Sequence, residues 1–406
     1  MKDNSFQECI KCTVCTAYCP MAAVNPCYIG PKQAGPDGER YRLKDKKFYD
    51  YALKYCLNCK RCEVACPSGV KIGDIIARAK LASGECKPGL REMILANTDI
   101  MGSLAVPFSP IINPVLKWDI SKKMMDGVLG IDHHREFPTY AKETFESWYK
   151  RKAAKEQKKF DKKIYYFHGC YANYNYPKLS QDLIKLLNAC GYGVQLLDKE
   201  KCCGVALISN GMQKQATRQA KTNLRSIRKA GGVVLTTSST CTMTMRDEYP
   251  HILGLDNSDV RDNIQMALKF IFEKVDAGEI KLAFKKDYQK KIAYHTACHM
   301  ERLGWWIYST QLLKMIPGVQ LEILESSCCG IAGTFGFKKE NYEFSQNIGS
   351  KLFDNIRYAN PDYVATECET CKWQIEMSTG FQVMNPICIL ADALDVEETQ
   401  RLNQIR

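Results

Sequence analysis

No stretch of this 406-residue chain is apolar over the ~20 residues that a regular membrane-spanning helix requires. The longest uncharged segment, IMGSLAVPFSPIINPVL at 100–116, has 17 residues and is interrupted by Pro107, Pro110 and Pro114. Proline lacks a backbone N–H and crowds the preceding turn, so a broken, non-spanning segment is expected. The first residues, MKDNSFQECIKC, show no apolar leader region and no cleavage site, which predicts a chain kept in the reducing cytosol. There is no G-x-G-x-x-G in strand–helix context and no phosphate loop, so a flavin or nucleotide site on this chain is not expected.

Cysteine, by contrast, is abundant: 21 residues. In a reducing compartment that number argues for metal, not disulfides. Hydrophobic residues make up 45% and charged residues 25%, the balance of a globular protein with ordinary cores. The net charge of +12 suggests an acidic partner such as an anionic membrane surface. Its densest stretch, KRKAAKEQKKFDKK at 150–163, lacks aromatic interleaving and any nucleic-acid motif, so no nucleic acid is expected.

Composition divides the chain into 1–95, rich in cysteine; 96–163, an apolar and basic connector without cysteine; and a duplicated remainder, 164–285 and 286–406. IYYFHGC (164–170) matches IAYHTAC (292–298), KCCGVA (201–206) matches SCCGIA (327–332), and VVLTTSSTCTMT (233–244) matches YVATECETCKWQ (363–374). Equating Cys241 with Cys368 gives a repeat of about 127 residues. Short β-branched runs predict strands at 164–167, 194–197, 233–237, 292–296, 321–324 and 363–366. Helical patterns occupy 177–190, 217–230, 305–315 and 340–357. The fold class expected is α+β and multidomain: a helical ferredoxin, then a duplicated α/β cysteine-rich domain with parallel sheets. Cysteines just past strand ends would then gather at the carboxyl edge of each sheet, one cavity per copy.

Cys9, Cys12, Cys15 and Cys19-Pro20 fit C-x2-C-x2-C-x3-C-P, as do Cys56, Cys59, Cys62 and Cys66-Pro67. In two-cluster ferredoxins the fourth cysteine of each run ligates the other cluster. This predicts two [4Fe–4S] clusters: Cys9, Cys12, Cys15 and Cys66 on the first, Cys56, Cys59, Cys62 and Cys19 on the second. Structural zinc uses paired C-x2-C spacings instead. Lys11, Lys60 and Arg61 lie inside the runs, as tuning, docking or exposed charges. The second repeat offers five thiols, Cys298, Cys328, Cys329, Cys368 and Cys371. The first offers four, Cys170, Cys202, Cys203 and Cys241, with Thr244 read as standing in for the fifth. A metal cluster is therefore expected more in the second repeat than in the first. Gly204 and Gly330 would let backbone approach closely. His168, His295 and His299 are placed to carry protons, tune a cluster or simply hydrogen-bond. Cys27, Cys86, Cys190 and Cys388 remain as small hydrophobes.

This architecture resembles the iron–sulfur subunits of respiratory dehydrogenases, heterodisulfide reductases and glycolate oxidases. GPKQAGPDGERYRLKD (30–45), YCLNCKRCEVACPSGVKIGDII (55–76), KEKCCGVALI (199–208), SSCCGIAGTFGFKKENY (326–342) and CETCKWQIEMST (368–379) specifically resemble the C subunits of bacterial anaerobic glycerol-3-phosphate dehydrogenases. The resemblance implies a flavin-bearing catalytic subunit and a further subunit as partners. It also implies electron delivery to menaquinone during anaerobic respiration and peripheral attachment to the cytoplasmic face of the inner membrane. It further implies a third cluster, of noncubane type, on Cys298, Cys328, Cys329, Cys368 and Cys371. Neither flavin nor glycerol phosphate is expected to bind this chain. Rival readings are electron transfer from a lactate or glycolate dehydrogenase, a thiol–disulfide reductase, and a zinc-stabilised scaffold.

Overall fold

The structure, a computed structural model, describes residues 4–45, 48, 50–83 and 88–405. Two four-stranded sheets form the duplicated part. The first contains β1 (Lys162–Phe167), β2 (Tyr192–Leu196), β3 (Val234–Thr236) and β4 (Ile264–Met266). The second contains β5 (Lys290–Tyr294), β6 (Val319–Ile323), β7 (Tyr363–Ala365) and β8 (Val383–Met384). The orders are β2-β1-β3-β4 and β6-β5-β7-β8, and every pair is parallel. Buried parallel strands read as continuous apolar runs, which is why YVA and VLT are short but fully committed. The expected helices appear as Pro177–Ala189, Gln213–Ala230, Trp306–Lys314 and Tyr342–Ala359.

Each sheet reverses its direction of winding at the neighbouring pair β1/β3 or β5/β7, and a crevice opens there at the carboxyl ends. The two repeats share a core. Helix Pro177–Ala189 packs on helix Pro386–Ala393, and Tyr166, Leu183 and Val194 join Ile292, Leu312 and Leu390 in one buried cluster. The crossing is hydrogen-bonded as well: Ser239 N–H donates to Glu367 O at 3.1 Å, and Asn385 Nδ2 donates to Thr237 O at 3.1 Å. These contacts turn the carboxyl edges of the sheets towards each other.

The N-terminal zone holds short helices and, among its described residues, no strand. Its longest helix, Ile72–Ser83, buries Ile72, Ile75 and Ile76 beside Leu53. The connector differs from expectation. Thr98–Ala105, a 3-10 turn at Val106–Phe108, and Ser109–Lys117 follow one another as a continuous helical run, long and apolar enough to cross a membrane by length and composition. Pro107 and Pro110 fall in the first turns of their segments, where no helical N–H partner is lost; Pro114 lies inside. The prolines therefore shape the run without ending it. Helix Asp119–Leu129 folds back beside it. Gly102 lets the first of these helices lie on Tyr174, since a Cβ there would come within 2.3 Å of the ring.

Candidate iron–sulfur centres

Both ferredoxin motifs wrap in the same way. The residues flanking the second cysteine are left-handed: Lys11 (φ 60°) and Thr13 (φ 64°) around Cys12, Asn58 (φ 55°) and Lys60 (φ 62°) around Cys59. Non-glycine residues take this conformation at a cost of about 1–2 kcal/mol each, and both loops adopt it at the same two positions. The thiols are grouped across the motifs. Burial pushes the Cys15 thiol up, and charge on Cys66, Cys9 and Cys12 would push it further. Burial takes Cys19 to about 12, with Cys59 and Cys56 adding to it. Cys62 is raised by burial and by Cys59, Cys56 and Cys19. Each fourth cysteine thus sits with the opposite run. Four converging thiols suit a four-iron cube, and the two groups fit that donor set, with Cys15 and Cys62 buried and Cys12 at the surface.

The lysine of the second motif is not an exposed charge. Lys60 is 1% exposed and paired with Asp74, with Glu248 at 3.6 Å and Glu63 at 3.9 Å. Burial would lower its pKa, but the three carboxylates outweigh that and hold it charged. Arg61 docks on the chain's own second repeat, donating to Glu301 at 3.0 Å and to Ser326 Oγ at 2.8 Å. Arg302 answers it with a bond to Glu63 at 3.1 Å.

In the second repeat, Cys329 Sγ lies 3.2 Å from Cys371 Sγ, and Cys368 Sγ accepts from Cys371 N–H at 3.4 Å. The Cys371 thiol draws Cys368 down to about 6. Cys298 is half-buried, its thiol raised by desolvation and by Cys59, Cys328, Cys368 and Cys329. Gly330, at φ 87°, brings backbone so close that a Cβ would meet Ser345 O at 1.9 Å. The five thiols converge, and the ferredoxin cysteine Cys59 stands beside them.

The first repeat corrects the assignment of its missing thiol. Tyr166 pairs with Leu235 across β1/β3, and Tyr294 pairs with Ala365 across β5/β7. In that register Cys241 corresponds to Cys371, and Ser238 to Cys368. Their local roles agree: Ser238 caps its helix by accepting from Cys241 N–H, as Cys368 does for Cys371. Equating Cys241 with Cys368 was therefore wrong by one helical turn. Thr244 replaces no cysteine; its hydroxyl donates to Glu248 at 2.9 Å. Cys170, Cys202, Cys203 and Cys241 still form one connected group, Cys202 being drawn down by the Cys170 and Cys203 thiols. Gly204 has φ 89°, which explains its glycine by conformation, not crowding.

The expectation of one cavity per copy also fails. Because the sheet edges face each other, a single cavity of about 370 Å³ is lined by thiols of both repeats and by Cys59. His168, His295 and His299 all line it. His299 reaches Thr240 Oγ1 at 3.3 Å and Asn58 O at 3.2 Å, and His168 Nδ1 reaches Gly169 O at 3.0 Å. His295 has no partner for either ring nitrogen; burial, with Arg61 nearby, lowers it to about 4. Of the leftover cysteines, Cys190 and Cys388 are buried, but Cys27 is exposed and is no core hydrophobe. Cys86 lies outside the described residues.

Comparison with known proteins agrees with this geometry. A family described as "4Fe-4S dicluster domain" matches residues 5–70, and one described as "Cysteine-rich domain" matches 164–246 and 292–376. Fold and site together define a dicluster ferredoxin fused to a duplicated cysteine-rich domain. At 55% identity over 398 residues, 97% of this chain aligns with the whole of the C subunit of the anaerobic glycerol-3-phosphate dehydrogenase of Escherichia coli K12. The chain belongs to the family of these C subunits. More distant similarity reaches the B subunit of the CoM/CoB fumarate reductase of Methanothermobacter marburgensis, 25% identical over 92% of this chain and 68% of the relative. It also reaches "Lactate utilization protein A" of a Geobacillus species, 27% identical over 51% and 87%.

Proposed function

We propose that the chain carries electrons from a flavin-bearing partner to menaquinone at the cytoplasmic face of the bacterial inner membrane. The partner oxidises sn-glycerol 3-phosphate to dihydroxyacetone phosphate. The observation that carries this reading is the end-to-end identity to the C subunit of that dehydrogenase, joined to thiol groups in contiguous order. Cys9, Cys12, Cys15 and Cys66 would hold one cube, Cys56, Cys59, Cys62 and Cys19 the second, and the five thiols of the second repeat a third cluster. Bound there, such clusters pass single electrons, joining a two-electron donor to a quinone that takes two electrons and two protons. The chain's own residues set the spacing: Arg61 and Arg302 clamp the second ferredoxin loop to the second repeat, with Cys59 facing Cys298.

Membrane association is supported by the connector. Leu104, Phe108, Ile111, Val115, Trp118 and Val128 are exposed on its helices, with Lys117, Lys122 and Lys123 among them. Apolar helices with lysine and tryptophan at the margins suit attachment in the plane of the headgroups. The basic run at 150–163 contributes less than its sequence suggests. Lys150 pairs with Glu146, Arg151 with Glu143 and Lys159 with Glu156. Purification of the complex from anaerobic cells tests the reading. A co-purifying flavoprotein that reduces a menaquinone analogue with glycerol 3-phosphate is expected; one specific for lactate or glycolate would overturn the substrate assignment.

A further inference from the structure

The shared cavity has two different halves. Its floor is made of thiols from both repeats. Its roof is the connector: Met101, Leu116, Met125, Leu129, Phe137 and Tyr140, which offer neither thiol nor charge. The roof presents no cysteine, so clusters held by the thiols of the floor leave it unengaged. The roof residues are half-buried, while Leu104, Phe108, Ile111, Val115, Met124 and Val128 on the same helices are exposed. Met125 and Leu129 face in one helical turn apart, and Met124 and Val128 face out with the same spacing. The run is therefore apolar on both sides, and it separates the outer apolar surface from the thiol floor by a single layer of helix.

A second observation marks the cavity as a binding site. His295 is 1% exposed, lines the cavity, and has both ring nitrogens without a hydrogen-bond partner. Leaving such a group unpaired costs about 1–3 kcal/mol, which a bound acceptor or donor would recover. Among the described residues no lysine or arginine lines the cavity, so an anionic disulfide substrate would find no counter-charge there. The cavity of about 370 Å³ is shared: a cluster on the thiol floor fills its lower part, and the part under the roof is mainly apolar with His295 as a polar group, the form of a small-molecule site.

We propose that this cavity binds the ring of a lipophilic quinone, His295 hydrogen-bonding a ring carbonyl and the tail leaving between the roof helices. The inference rests on the electron-transfer reading above and places its acceptor on this chain instead of on a partner subunit. The connector then has a double role, resting on the membrane outside and closing the acceptor site inside.

The test uses the assembled, cluster-loaded complex in detergent and a photoreactive azido-naphthoquinone, with adducts located by peptide mass spectrometry. Adducts are expected in 94–140, on peptides carrying Met101, Met125 or Phe137, and are expected to disappear with excess unlabelled menaquinone. Met125→Trp and Leu129→Trp fill the roof. Both are expected to cut labelling and raise the quinone KM by about tenfold or more, a loss of ~1.4 kcal/mol, with iron content and EPR signals as in wild type. His295→Phe is expected to raise the quinone KM as well, with His295→Gln recovering part of the loss. Competable adducts confined to a partner subunit or to the outer connector surface would overturn the site. So would iron-replete tryptophan variants with an unchanged quinone KM. Should a tryptophan variant lose its iron, the wild-type adduct map decides. A wild-type complex that oxidises substrate with a dye but reduces no quinone would instead remove the electron-transfer reading itself.

Discussion

At the scale of single residues, one hydroxyl separates the two repeats. Ser238 donates to Glu369 at 2.9 Å where Cys368 presents a thiol in the matching place. Ser238→Cys is therefore expected to complete a five-thiol group in the first repeat and to raise iron per chain, with a new EPR signal. Iron content unchanged after reconstitution would mean that the first repeat cannot assemble the second repeat's kind of site. Cys371→Ser should remove the third cluster's signal and leave the ferredoxin pair intact. Lys60 carries a different burden, since its single charge faces Asp74, Glu63 and Glu248 together from inside the loop. Lys60→Met leaves three buried carboxylates with less compensation and should cost about 3–5 kcal/mol, read by denaturant unfolding of the anaerobic protein.

Among elements, the connector helices were the least legible part. Proline content argued for a broken segment, because a sequence shows which residues dislike helix interiors but not which of them fall in first turns. Strands β1, β2, β3, β5, β6 and β7 were visible as β-branched runs between helical patterns. The edge strands β4 and β8 were not, since Ile264–Met266 and Val383–Met384 are too short to show a period. The two ferredoxin runs were legible in their spacing, and the exchange of Cys19 and Cys66 between them was expected from the pattern of two-cluster ferredoxins. The place of the missing thiol was not, because matching cysteine to cysteine gives the wrong register and strand pairing gives the right one. Gly102 tests how the connector is seated. Gly102→Val drives a side chain into Tyr174 and should destabilise the protein by about 1–3 kcal/mol, releasing the Thr98–Ala105 helix. Hydrogen exchange would locate the loss there; uniform loss across both sheets would argue against local seating.

For the molecule as a whole, two sheets that share a core turn their ligand edges together, and the ferredoxin unit packs on both repeats, through Lys60 and Asn58 on Glu248 of the first and Arg61 on Glu301 of the second. The common cavity follows from that packing and from no local pattern, which is why neither half of the duplication announces it. Everything functional then depends on the thiol groups holding iron in a connected series. Iron and sulfide analysis combined with EPR on the anaerobically purified protein tests this most directly. The account predicts about eight irons from the ferredoxin motifs, additional iron on the second repeat, and a reduced spectrum broadened by neighbouring clusters. Zinc in place of iron, or clearly fewer than about eight irons after careful reconstitution, would contradict it.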